Sequence, residues 1–223
     1  MKLVLASGSQ RRRELLTMCG YDYEIIVSNA DETIDESDPE SFVRALSLRK
    51  AKEVFDRLFA AGRRDFAVIG SDTVVAFQKE GETKPVIIGK PKDAKDAVRI
   101  LSMLSGKTHR VFTGVSVIAD IPDGNAAAQC SIRKKAEIQT ECSITEVTFE
   151  TLSPDEIADY VNSGDPLDKA GSYGIQGPFG MFVREIRGNY FTVIGMPIPV
   201  LYKMLKKIGI LPHGFYERIE QGK

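Results

Sequence analysis

Two apolar periods alternate along this chain of 223 residues, and that alternation restricts it to the α/β class. Strand-like runs occur at 2–6 (KLVLA), 23–28 (YEIIVS), 66–77 (FAVIGSDTVVAF) and 109–119 (HRVFTGVSVIA), with a long one near 135–149. Between them the period is helical. From about Pro39 to Ala61, Val43, Leu48, Ala51, Val54, Phe55 and Leu58 share one arc, and from about Lys92 to Leu104 the inward set is Ala97, Ile100, Leu101 and Leu104. Ser9 can cap a helix that runs through Met18 to Gly20, and Ser153-Pro154-Asp155-Glu156 is a capping-box start for a helix ending near Gly164. Further strands are expected near 181–186 and 190–194, and a last helix from Pro197 to about Ile208. The 66–77 strand should break or bend at Gly70-Ser71, and 78–91 reads as a polar connection. Residues 120–130 read as a hairpin loop, which argues against a purely parallel sheet. The length allows one large domain or two small ones, and no repeat and no linker interrupts residues 1–223.

Composition narrows the partners. Lys plus Arg number 30 against 31 Asp plus Glu, so no broad nucleic-acid or membrane surface is expected and any anion site must be a local cluster. The three cysteines, Cys19, Cys130 and Cys142, are too sparse for a disulfide framework and fit a reducing compartment. The first apolar run is too short for a signal peptide, and no stretch approaches the roughly 18 apolar residues of a membrane span. A soluble, cytoplasmic protein is the expectation.

Several segments carry candidate chemistry. Ser7-Gly8-Ser9 precedes Arg11, Arg12 and Arg13 at a helix N-terminus, where cations are unfavourable by about 0.3–1 kcal/mol each unless an anion binds. The run is either an anion site or an exposed basic patch; it lacks the Walker spacing. Asp72 sits between two apolar half-strands, either holding a divalent cation and orienting water or forming an Asx-type turn. Lys50 lies at the edge of the apolar arc of its helix, as a snorkelling lysine or a site cation. Asp31-Glu32 either adds carboxylates to a metal site or solvates a loop. Lys90 is held between Gly89 and Pro91, and His109 is either a base or a structural histidine. The glycine-rich run 168–177, with Lys169, Tyr173 and Gln176, either approaches a flat ligand or simply connects elements.

Taken in order, these segments resemble the Maf family of nucleoside triphosphate pyrophosphatases. The matching stretches are LASGSxRR from Leu5, Asp31-Glu32, LxKA from Leu48, SDTVV from Ser71, GKP from Gly89, LSGxxHxVxTG from Leu104, DKAGxYGIQG from Asp168 and GMP from Gly195. The resemblance implies an α/β fold with a mixed, elongated sheet and two lobes around a central cleft, shared with the inosine triphosphate pyrophosphatases. It implies cleavage between the α- and β-phosphates with a divalent metal cation (Mg²⁺, Mn²⁺ or Co²⁺), and a homodimer. Ser7, Arg11, Arg12, Lys50 and Lys90 carry over as phosphate contacts, Glu32 as a metal carboxylate, and Asp72 as metal ligand and base. Arg11, Thr73 and Gln176 match the dTTP/UTP-preferring branch, and Lys169 is taken as a further substrate contact. Gln10 stands where the family has Pro, and 78–88 and 120–134 are longer than usual. Two rival expectations remain: a purine or 7-methyl-GTP pyrophosphatase of the same fold, and a non-catalytic nucleotide-binding regulator of cell division.

Overall fold

A computed structural model describes residues 1–121 and 136–213. Its strands are β1 (Lys2–Leu5), β2 (Tyr23–Ile25), β3 (Phe66–Phe77), β4 (Val86–Ile88), β5 (Thr108–Ala119), β6 (Glu137–Phe149) and β7 (Val183–Arg187). Its helices are α1 (Gln10–Met18), α2 (Pro39–Ala60), α3 (Ala94–Leu104), α4 (Pro154–Asn162), α5 (Tyr190–Ile194) and α6 (Ile198–Lys207), with short 3₁₀ turns between 165 and 182. The strands form one mixed sheet in the order β2-β1-β3-β5-β6-β7, with β4 added to β3. β1 runs parallel to β2 and β3, whereas β3, β4, β5, β6 and β7 pair antiparallel, so the sheet is α/β and mixed.

β3 organises the molecule because its two sides meet different partners. Successive side chains point to opposite faces of a strand. Phe66, Val68, Val74 and Ala76 join the residues buried against α2, together with Val43, Ala51, Val54 and Phe55. On the other face the apolar side chains split into two groups. Ala67 and Ile69 pack with Leu15 and Leu16 of α1 and Leu201 and Leu205 of α6. Val75 and Phe77 pack with Ile100 and Leu101 of α3, Ile157 of α4 and the aromatic residues Phe149, Tyr173 and Phe179. Ser71 and Thr73 lie between the groups, so the two lobes expected from the sequence are two cores separated by polar positions of one strand.

Caps fix the helix starts. Asp38 accepts from Ser41 N at 2.9 Å and Asp93 from Asp96 N at 2.8 Å, and Ser153 and Glu156 form the full capping box. Ser9 occupies the N-cap of α1, but its side chain makes no capping bond; the Ser7 hydroxyl instead accepts from Ser9 N at 3.2 Å.

Other expectations are corrected. β3 is continuous across Gly70-Ser71. Gly70 is there for clearance: a Cβ would lie 2.7 Å from Ala51 N and closer still to the Ser47 carbonyl oxygen of α2. Residues 190–194 form helix α5, not a strand. Their β-branched and aromatic composition favours a strand, but Asn189 caps Phe191 N at 2.8 Å and Gly195 ends the helix at φ +107°. The second strand stops at Ile25, the 181–186 strand is Val183–Arg187, and the 78–91 connection contains β4. Residues 122–135 and 214–223, with Cys130 and most of the expected hairpin loop, lie outside the described residues.

Candidate active site

The cleft begins as a gap in the sheet. On one edge of β3, β1 pairs only as far as Ile69 and β4 pairs only from Val75 onward, while the other edge stays paired to β5 throughout. Residues 70–74 therefore have no strand neighbour on one side. Beyond β1 the chain turns through Ser7-Gly8-Ser9 into α1, so the N-terminus of that helix opens beside the gap. A cleft of about 470 Å³ results, within the range of small-ligand sites. Ser7, Arg11, Arg12, Glu32, Lys50, Asp72, Thr73, Lys90, Lys169 and Gln176 all line it. Five cations there face three carboxylates, since Asp168 joins Glu32 and Asp72.

Asp72 and Thr73 are neighbours in sequence and so point to opposite faces of β3. Asp72 is directed to α2, where its Oδ1 lies 2.8 Å from Lys50 Nζ; Glu32 Oε1 lies 2.9 Å from the same ammonium. The Lys50 and Asp72 side chains are each 12% exposed and Glu32 is 64% exposed, so the first pair is largely withdrawn from solvent and the second is screened. Gly70 and Gly114 make this pairing possible, because α2 lies directly on their backbones. The Glu32 loop is fastened by Arg49, whose Nη1 donates to the carbonyls flanking Glu32, Asp31 O at 2.9 Å and Thr33 O at 2.8 Å. Nothing in the spacing of the sequence marks Arg49 for this task.

Thr73 is directed to α1. Arg12 reaches across and donates through Nε to Gly195 O at 2.8 Å, Nη1 to Ser7 Oγ at 3.1 Å and Nη2 to Thr73 Oγ1 at 3.3 Å. Burial pushes this guanidinium below its ordinary value while the Asp72 charge acts in the opposite sense; the group stays charged. Arg12 is thus a strut of the cleft with two N–H groups left for a ligand.

The glycine-rich run closes the far side. Gly171, at φ +73°, passes so close to β3 that a Cβ would meet Val75 Cγ2, and its N–H donates to Gly89 O at 3.0 Å, tying the run to the Lys90 turn. Lys169 Nζ lies 2.9 Å from Asp165 Oδ1 and 2.8 Å from Asp168 Oδ1, and Arg11 Nη1 lies 3.3 Å from Asp168 Oδ2. Asp168 therefore bridges the run to α1. Burial pushes its carboxyl up, but Lys169 and Arg11 outweigh this and its value is lowered. Lys90 and Gln176 make no hydrogen bond or ion pair among the described residues. Val75, Val111, Tyr173, Ile175 and Val193 give this end apolar walls.

His109 stands behind the wall rather than in the cleft. It is 2% exposed, its Nε2 lies 3.0 Å from Tyr173 Oη, and its Nδ1 has no partner. Burial pushes its value down from 6.5 to about 3, which suits a structural neutral imidazole. Between those values the unfolded chain binds a proton that the folded chain does not. The contribution is therefore fully present above pH 6.5 and is lost as pH falls toward 3. Denaturant midpoints at pH 7 and pH 5 should show stability falling by up to about 1.4 kcal/mol per pH unit from this group. His109→Phe should flatten that part of the slope; an unchanged slope would assign it elsewhere.

The donor set can be tested against a divalent cation. Lys50 engages one oxygen of each carboxylate, leaving Asp72 Oδ2 and Glu32 Oε2 without a hydrogen bond among the described residues. No group of three or more His, Cys, Asp and Glu side chains is gathered there, so the protein alone offers no complete cage. Two hard carboxylates fit a hard divalent cation, which would need further ligands from outside these side chains.

A family model described as Maf-like protein matches residues 2–208. The dTTP/UTP pyrophosphatase of Agathobacter rectalis is 40% identical over 217 residues, covering 94% of this chain and 98% of that protein. Proteins of the same description from Bacillus thuringiensis and Bacillus anthracis are each 43% identical over 210 residues, covering 94% of this chain and 96% of theirs. Among solved structures, the Staphylococcus aureus Ham1 protein covers 93% of this chain and 99% of its own at 15% identity and a TM-score of 0.47, too low to bear on function. A match running almost from end to end, over the segments that build the cleft, makes this chain a member of the Maf family.

Proposed function

We propose that this chain hydrolyses dTTP and UTP to the nucleoside monophosphate and pyrophosphate. The observation that carries the reading is the Glu32–Lys50–Asp72 cluster, set in a cleft whose near end is cationic and whose far end is apolar and glycine-rich. The names of relatives at 40–43% identity support the choice of base.

In this reading the triphosphate lies along the α1 N-terminus. Ser7, the spare N–H groups of Arg12, Arg11 and Lys90 take the charge that grows on the leaving pyrophosphate. Asp72, steadied by Lys50, orients and deprotonates water for attack at the α-phosphorus. A divalent cation held by Asp72 and Glu32, when bound, supplies charge neutralisation and Lewis-acid polarisation of the phosphates. Gln176 and Thr73 read the base, with Lys169 holding the glycine-rich run beside it. The proposal extends to one domain over residues 1–223 acting as a cytoplasmic homodimer.

Pyrophosphate release should be measured for dTTP, UTP, CTP, ITP and 7-methyl-GTP with Mg²⁺, Mn²⁺ or Co²⁺ and with chelator. We expect dTTP and UTP to lead by at least about tenfold in kcat/KM, a margin of roughly 1.4 kcal/mol, and chelator to stop turnover. A lead for 7-methyl-GTP or ITP would reassign the base pocket, and tight binding without turnover would make the chain a nucleotide-binding regulator.

A further inference from the structure

We infer that Thr113, a residue behind the cleft, fixes the hydrogen-bonding sense of Thr73, so that the cleft offers only an acceptor at Thr73 and only a donor at Ser7. The inference rests on the reading that this cleft takes a nucleotide, and it names what selects the ligand.

A hydroxyl has one proton and two lone pairs. Thr113 is fully buried, and its Oγ1 lies 2.7 Å from the Thr192 carbonyl oxygen of α5. A carbonyl only accepts, so the Thr113 proton is committed there. Thr73 Oγ1 lies 3.0 Å from Thr113 Oγ1 and must therefore donate to it. Arg12 Nη2 donates into Thr73 Oγ1 at 3.3 Å. What Thr73 has left is one lone pair, and Thr73 lines the cleft.

Ser7 is set the other way. Its Oγ accepts from Ser9 N at 3.2 Å and from Arg12 Nη1 at 3.1 Å, which uses both lone pairs and leaves the proton. The same guanidinium thus takes one lone pair of each hydroxyl, and what differs is the other partner: Ser9 N takes the second lone pair of Ser7, whereas Thr113 takes the proton of Thr73. A phosphate oxygen suits Ser7. Thr73 requires a donor on the ligand, which a keto pyrimidine supplies as its ring N–H and a sugar supplies as its 3′-hydroxyl. Cytosine presents a lone pair at the ring position, so two acceptors would face each other with no proton between them.

The test is equilibrium binding of α,β-methylene-UTP, α,β-methylene-CTP and 3′-deoxy-α,β-methylene-UTP in Mg²⁺ buffer. The wild-type chain should bind the first at least about tenfold more tightly than the second if the ring N–H is read, or than the third if the sugar is read. Thr113→Val frees the Thr73 proton and should shrink that preference to within about threefold, whereas Thr113→Ser, which keeps the hydroxyl, should restore it. Thr73→Val should also erase the preference, which covers the case in which Thr113→Val does not fold. Equal binding of all three ligands by the wild type, or a full preference in Thr113→Val or Thr73→Val, would overturn the inference. An intact preference without UTP turnover would instead sink the hydrolase reading and leave this one standing.

Discussion

Replacing Asp72 by Asn should lower kcat/KM for UTP by about 10²–10⁴-fold, the range expected when a general base is removed, while the melting temperature moves by only a few degrees. Asparagine is nearly isosteric and can still accept from Lys50 Nζ, now 2.8 Å from Asp72 Oδ1. What it loses is the charge and the ability to take a proton. Glu32 would remain beside Lys50, so no cation is left unpaired. Steady-state rates and a thermal melt on the same preparation check this. Activity within about threefold of wild type would remove Asp72 from the chemistry, and a collapsed melt would make its role structural.

Gly70→Ala should cost about 3 kcal/mol of stability or more, well beyond the usual helix or strand propensity terms. The added Cβ would lie 2.7 Å from Ala51 N and closer still to Ser47 O, and both atoms belong to the backbone of α2. A rigid helix cannot yield locally, so α2 must lift from β3. Lifting it carries Lys50 away from Asp72, and the surviving folded fraction should be slower as well as scarcer. Gly89→Ala is the matched control: its Cβ meets nothing within 4 Å and its backbone needs no left-handed φ, so its stability cost should stay below about 0.5 kcal/mol. Chemical denaturation of both variants gives the comparison. Equal stability would mean that α2 is not held by this contact.

The α/β class, the two long helices and the long strands were legible because period and capping agreed: Asp38, Asp93 and the Ser153–Glu156 box sit where the helices begin. Residues 190–194 misled because YFTVI has strand composition, and the Asn189 cap with Gly195 as terminator outweighed it. Gly70 misled in another way. A glycine inside a strand reads as a break, whereas here it marks where another backbone comes close. The ten expected site residues converge on one cleft because its gap lies between two strand ends, and all their segments border it. Local patterns could not reveal what holds them there. Arg49 grips the Glu32 loop through carbonyls 16 and 18 positions away, and Asp168 links Arg11 to Lys169 across 157 positions. Thr113 polarises Thr73 from the next strand at a separation of 40 residues. His109 illustrates the converse, since its identity suggested a base and its burial against Phe149 and Tyr173 gives it a packing role.

Cleavage between the α- and β-phosphates, with water attacking the α-phosphorus, is tested most directly by hydrolysing UTP in ¹⁸O-labelled water with Mg²⁺ and analysing the products by mass spectrometry. The arrangement of Asp72 and Lys50 beside the cationic α1 terminus leads us to expect UMP and pyrophosphate in equal amounts, with the label on UMP. UDP with inorganic phosphate, or the label on pyrophosphate, would contradict it.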